Sequence, residues 1–183
     1  MTKAKELPSV AYLKECFDYN PESGELVWRV RPLHHFPIKK VAILTNARQA
    51  GKQVVYKATN GYTRVSIGSI RYAAHRVIWK MYTGEEPIGQ IDHINGVRTD
   101  NRIENLRVVE GHQENARNMK RNKKNTSGNT GVYFNKDRGK WGAYINVSGV
   151  MKYLGLFTDK IDAIYARYYA ERDHGFHQNH GRV

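Results

Sequence analysis

The chain has 183 residues, with 30 Lys plus Arg against 17 Asp plus Glu, a formal net charge of +13 and 40% apolar residues. That length fits one domain of ordinary size or two small ones, and the charge points to a polyanionic partner and away from small acidic substrates. A mean hydropathy of −0.69 and one cysteine, Cys16, exclude a membrane span, internal disulfides and Cys-paired zinc sites, and suit a soluble protein of a reducing cytoplasm.

The first fifteen residues lack the apolar stretch of a signal peptide. Residues 10–16 read as a short amphipathic helix, and 17–19 with 25–30 flank NPESG as a hairpin. Residues 33–58 read as loop with short strands. A second hairpin pairs 62–67 with 70–74 across Gly68-Ser69, where Gly in the first turn position suits a type II′ turn. The helix in HRVIWKMYTG then spaces Val77, Ile78 and Met81 by three or four residues and stops at Gly84. Next come a strand over 90–94, an Asn-Gly turn, a polar loop, a strand over 105–109 and a helix from about His112.

Charge is uneven along the chain. Residues 111–126 hold Arg117, Lys120, Arg121, Lys123 and Lys124 against Glu114 alone. They read as a basic helix end running into a linker, with a boundary near 125–130. Beyond it, strands are expected at 131–135, 140–147 and 151–157, then a helix from Thr158 to about Asp173. Ala143, Ile145 and Val147 alternate with Tyr144 and Asn146, and Ile161, Ile164, Tyr165 and Tyr168 form the helical stripe expected to cover the first face. The sheet's other face is left open and polar.

The segment QIDHINGVRTDNRIENLRVVEGHQENARN carries the chemistry. Asp92 and His93 are adjacent and point to opposite sides of a strand. Asn105 follows twelve residues after His93, and Asn115 ten after that. A strand–loop–strand–helix unit of this length can bring the four side chains to one focus. Phosphodiester hydrolysis needs a base for water and a cation for the charge on the phosphate. His is the neutral base at cellular pH, and a carboxylate with an amide oxygen suits Mg²⁺ or Mn²⁺. An Asn near the base either orients the imidazole or holds the loop that carries it.

IDHINGVRTDNRIENLRVV…QENARN resembles the motif of HNH endonucleases of the phage and homing type. AHRVIWKMYTGEEP and FDYNPESGELVWRV resemble the regions that precede it in phage HNH proteins. The resemblance implies a ββα-metal (His-Me finger) fold with His93 as general base and Asn105 as its support. It also implies one divalent metal, Mg²⁺ or Mn²⁺, on Asp92 and Asn115, with no structural zinc. EGHQEN is one residue longer than the usual spacing, which makes His112 the alternative helix ligand.

Residues 127–175, through SGNTGVYFNKDRGKWGAYI, YLGLF and DAIYARYYAERDHG, resemble the plant Apetala and ethylene-response-factor type of DNA-binding domain. That domain lays a three-stranded sheet in the major groove. The face it would use carries Tyr133, Asn135, Lys140, Tyr144, Asn146 and Tyr153, whereas plant members place more arginines there for bidentate contacts to guanine.

The fold class expected is therefore α+β: a ββα-metal nuclease domain plus a small three-stranded antiparallel sheet packed on one helix. Its parts are an accessory region over 1–60, a nuclease core over 61–122, a basic linker over 123–130, the sheet-and-helix domain over 131–175 and a tail over 176–183. The partner implied is double-stranded DNA, contacted also by Arg117, Lys120, Arg121, Lys123 and Lys124. The function implied is a metal-dependent, site-specific DNA endonuclease of phage type, acting in the cytoplasm of a bacterial host; the rival is a sequence-specific DNA-binding protein with an inactive nuclease core. His75 reads as packing or contacting phosphate, Asp100 as a loop-fixing acceptor, and His174, His177 and His180 as a frayed tail. His34, His35 and Cys16 have no partners nearby in sequence.

Overall fold

The computed structural model describes residues 5–109 and 117–182. The chain divides after Val108 into two compact units. No described helix is long and apolar enough to cross a membrane.

In the first unit, α1 (Val10–Cys16) starts where the Ser9 hydroxyl accepts from the Tyr12 N–H, and it buries Leu13 and Cys16. Strands β1 (Phe17–Tyr19) and β2 (Leu26–Trp28) pair antiparallel, Phe17 opposite Trp28. Their turn is closed by Asn20, whose side-chain oxygen accepts from the Glu22 and Ser23 N–H groups. A 3₁₀ turn at Leu33–His35 follows.

The stretch expected as loop with short strands contains α2 (Lys39–Gln49), an eleven-residue helix. It escapes a periodicity reading because its apolar residues do not form a stripe. Ala42 is buried, whereas Ile43 and Leu44 are exposed. Its C-terminal half is instead tied down by polar groups. The Asn46 amide accepts from the Arg31 N–H at 3.1 Å and donates to the Arg31 carbonyl at 2.9 Å.

The second hairpin, β3 (Arg64–Ile67) with β4 (Ile70–Ala73), turns at Gly68-Ser69 as expected, with Gly68 at positive φ. It leads into α3 (Ala74–Thr83), which ends on left-handed Gly84. The face of α3 bearing Ala74, Val77, Ile78 and Met81 joins Leu13, Phe17, Leu26, Val65, Ile91 and Leu106 in one core. Against that core lie β5 (Gln90–His93) and β6 (Leu106–Val109), paired as a two-stranded sheet with a 3₁₀ turn at Ile103–Asn105 before β6. The helix expected from His112 falls on residues 110–116, outside the described residues.

In the second unit, β7 (Val132–Asn135), β8 (Lys140–Val147) and β9 (Val150–Phe157) form an antiparallel sheet in that order. Helix α4 (Lys160–Asp173) packs on it, with Val132, Ala143 and Ala163 at the centre. The helical stripe differs from expectation. Ile161, Tyr165 and Tyr168 are exposed, while Ala163 and Arg167 are buried. A small Ala163 lets the helix approach the sheet, and Arg167 is satisfied there: its Nη1 donates to the Tyr144 carbonyl at 2.6 Å and its Nε to Glu171 at 2.7 Å.

Residues 117–121, expected as a basic helix end, are tied to the segment expected as a frayed tail. The Gly181 N–H donates to the Met119 carbonyl at 2.8 Å, the His177 N–H to that of Arg117, and the Arg121 N–H to that of Arg182. The Arg182 guanidinium reaches the Asn118 carbonyl and side chain. His180 is packed beside Phe176 and Arg167.

Candidate active site

Strand alternation sets the site. Along β5, Ile91 and His93 are buried and Gln90 is exposed, with Asp92 between these extremes. His93 Nε2 lies 3.0 Å from the Asn101 side-chain oxygen. An amide oxygen accepts only, so Nε2 carries the proton and the lone pair sits on Nδ1. The imidazole packs among rings, with His75 at 5.2 Å edge-on and Tyr62 at 5.7 Å. Burial lowers the His93 pKa, against the opposing pull of the Asn101 hydrogen bond and the Asp92 charge. The ring is therefore neutral at neutral pH.

The Asn105 side chain holds the loop that carries the imidazole's partner. Its oxygen accepts from the Asn95 N–H at 2.9 Å, and its NH₂ donates to the Asp100 carbonyl at 2.8 Å. Both bonds tie Asn105 to the loop that follows β5. Asp100 accepts from Asn95 and, through both carboxylate oxygens, from Arg102. The Arg102 hydrogen bonds hold its pKa down at about 2, so it is the loop-fixing acceptor the sequence suggested. From outside, the Tyr19 hydroxyl donates to the Asn101 carbonyl at 2.8 Å. Gly24, at φ +75°, leaves no room for a Cβ, which would lie 2.5 Å from the Arg102 nitrogen. A recess of about 230 Å³ opens beside Asn101, with Lys57, Thr63 and Thr99 in its wall.

Asp92 is held from the next strand by Arg107, whose Nε and Nη2 donate to Oδ2 at 3.2 and 2.9 Å. Its side chain is 18% exposed. A hard carboxylate in that position fits Mg²⁺ or Mn²⁺ as one ligand. Asn115 and His112, the expected second ligand and its alternative, lie outside the described residues. His75 is buried against Tyr62 and His93, and burial followed by the His93 and arginine charges pushes its pKa down to about 3. Of the two readings of His75, packing is the one its burial matches. Sequence reasoning passed over Asn101, Arg107 and Tyr62. Asn101 had a signal, since it sits eight residues after His93 in the same loop as Asp100.

In the second unit, the register puts Tyr133 opposite Gly142, Asn135 opposite Lys140, and Tyr144 opposite Tyr153. With Asn146 two residues beyond Tyr144, the six sheet positions share one face, and the Tyr133 and Tyr144 rings are 6.1 Å apart. Gly142 is required there, because the Tyr133 ring lies where its Cβ would be. A cleft of about 710 Å³ joins Tyr144 and Asn146 to Arg117 and Lys120. Lys120, Lys123 and Lys124 are exposed, whereas Arg121 donates to the Gly128 carbonyl. His34 and His35, without partners in sequence, meet Glu15 from α1, and the Cys16 sulfur lies 3.5 Å from His35 Nδ1.

Residues 72–117 match the family model described as HNH endonuclease. The chain is also 37% identical over 76 residues to Protein 3.8 of Escherichia phage T7. That match covers 41% of this chain and 62% of the phage protein, so the chain spans less than two thirds of this relative's length. No solved structure matches the chain. The stretch that holds Asp92, His93, Asn101, Asn105 and Arg107 is thus an HNH endonuclease match carried on residues 72–117.

Proposed function

We propose that this protein is a metal-dependent, site-specific endonuclease of the phage and homing type that hydrolyses phosphodiester bonds of double-stranded DNA in the cytoplasm of a bacterial host. The observation that carries the reading is the His93–Asn101 pair, a buried neutral imidazole whose tautomer is set by an amide oxygen. His93 takes the proton of the attacking water at Nδ1. Asn101 keeps the ring in place and accepts from Nε2–H throughout, so the imidazolium that forms stays hydrogen-bonded. Asn105 and Asp100 hold the loop that presents Asn101. Asp92, with Asn115 or His112, would hold one Mg²⁺ or Mn²⁺. When bound, that ion would supply Lewis-acid neutralisation of charge on the phosphate and leaving oxygen.

Binding is assigned to the second unit. Counterion release by Lys120, Lys123, Lys124 and Arg117 supports general affinity for the duplex, and Tyr133, Asn135, Lys140, Tyr144, Asn146 and Tyr153 share the face proposed to read it. This three-stranded sheet on one helix is proposed as the Apetala-like module. The rival, a DNA-binding protein with an inactive core, is favoured by one observation: Arg107 already occupies an oxygen of Asp92.

Incubating supercoiled and linear DNA with the protein, with Mg²⁺ and with EDTA, decides between them. Mg²⁺-dependent cutting that is lost in Asp92→Ala supports the nuclease. Tight binding without cutting by the wild type supports the rival.

A further inference from the structure

We propose that Glu15, His34 and His35 form a Zn²⁺ site in the N-terminal region, sharing no residue with the Asp92–His93 centre. The ligand atoms of the three side chains lie within 4.8 Å of one another. Glu15 comes from the last turn of α1 and the two histidines from the 3₁₀ turn twenty residues on. Glu15 Oε2 is 3.2 Å from His34 Nε2 and 2.6 Å from His35 Nε2. Two ligands at zinc bond lengths and a tetrahedral angle stand roughly 3.3 Å apart. The first pair is already so spaced, and the second needs to open by several tenths of an ångström.

The surroundings have the features of a built metal site. The His35 side chain is 0% exposed. Its ring is stacked on Tyr12 at 3.9 Å and 12°, and its other nitrogen, Nδ1, lies 3.5 Å from the Cys16 sulfur. A metal-binding histidine commonly donates its second N–H to a carboxylate, carbonyl or water, which fixes the ring and aims the other nitrogen at the ion, and here the Cys16 sulfur stands in that position. The His34 side chain is 68% exposed, which gives an entry path and room for water as a fourth ligand. Two imidazoles with one carboxylate select Zn²⁺ over Mg²⁺ or Ca²⁺, which prefer all-oxygen sets.

The site also answers a deficit in the fold. Leu33, Ile38, Ile43 and Leu44 are exposed, and α2 buries Ala42 alone among its described side chains. Little apolar burial holds this segment to α1, and a metal tie between α1 and the 3₁₀ turn adds what the core lacks. This departs from the sequence expectation of no structural zinc, which rested on the absence of a thiolate set.

The test uses metal-stripped full-length protein in millimolar Mg²⁺, which occupies hard-ligand sites, titrated with ZnCl₂ by calorimetry. Co²⁺ absorbance serves as the coordination readout. Wild type and Asp92→Ala should each take up one Zn²⁺ and gain thermal stability. Glu15→Gln/His34→Ala should lose more affinity than the roughly 10–100-fold caused by removing a ligand's outer hydrogen-bond partner, with unchanged far-UV circular dichroism. If the double variant unfolds, His34→Gln, at the exposed ligand, decides alone. No uptake by the wild type, or equal uptake by the Glu15 and His34 variants, would overturn the site.

Discussion

The state of the His93 ring is set by neighbours of different kinds: Asn101 sets the tautomer, burial keeps the ring neutral, and Asp92 places a negative charge nearby. His93→Ala should lower the cleavage rate on the order of 10²–10⁴-fold, the usual worth of general base catalysis, with DNA affinity nearly unchanged. Single-turnover cleavage beside a binding titration checks both. Asn101→Ala keeps the base and removes its orienting acceptor. Because a hydrogen bond to a charged group is worth about 1.5–3 kcal/mol, it should cost roughly 10–100-fold in rate with little change in KM. A KM effect without a rate effect would make Asn101 a substrate contact.

At the scale of elements, the loop over 94–102 is held between the β1–β2 hairpin and Asn105. Asn105→Ala leaves the Asn95 N–H and Asp100 carbonyl unpaired, so it should destabilise the first unit by about 1–3 kcal/mol. Gly24→Ala combines a positive φ with a Cβ against backbone at 2.5 Å. It should cost at least about 1–3 kcal/mol of strain, read as a lower urea midpoint, and should slow cleavage because it moves the Asn101 backbone. A Gly24→Ala protein as stable and active as wild type would show that the hairpin does not brace the loop. Much of this scaffold was legible in the sequence. NPESG, Gly68-Ser69 and Gly84 announced two hairpins and a helix stop through turn chemistry, and the Val77–Ile78–Met81 spacing announced a buried helix face. Helix α2 was not legible, since its anchor is the Asn46–Arg31 hydrogen-bond pair and no apolar stripe. The α4 stripe was misplaced because an arginine, Arg167, occupies a core position that apolar periodicity gives to its neighbours. The Glu15–His34–His35 cluster was invisible because its members meet only after the chain turns back on α1.

Across the whole molecule, each unit buries an acid-sensitive histidine. Burial first, then the charges of His93, Arg76 and Arg64, set the His75 pKa near 3; burial first, then Arg167, set that of His180 near 4. Between those values and the ordinary 6.5 the unfolded chain binds a proton at each site that the folded chain does not. Stability therefore rises with pH across this window and falls on acidification. Urea unfolding followed from pH 7 to pH 4.5 should show that loss, and His180→Gln should flatten it for the second unit. The same unit provides the test of DNA binding. Lys120, Lys123 and Lys124 are exposed, whereas Arg121 and Arg182 hold 117–121 to the C-terminal segment. The three lysines can therefore be neutralised without loosening the fold, and Arg121 cannot. Their replacement by Gln should weaken binding to all duplexes alike and lower the slope of log affinity against log salt by about 0.9 for each phosphate that is no longer neutralised. Asn146→Ala, on the shared face of the sheet, should leave that slope in place and reduce discrimination between sites, because base edges and not phosphates carry sequence information. If the lysine triple variant keeps its salt slope while Asn146→Ala lowers it, the two surfaces have been assigned the wrong way round.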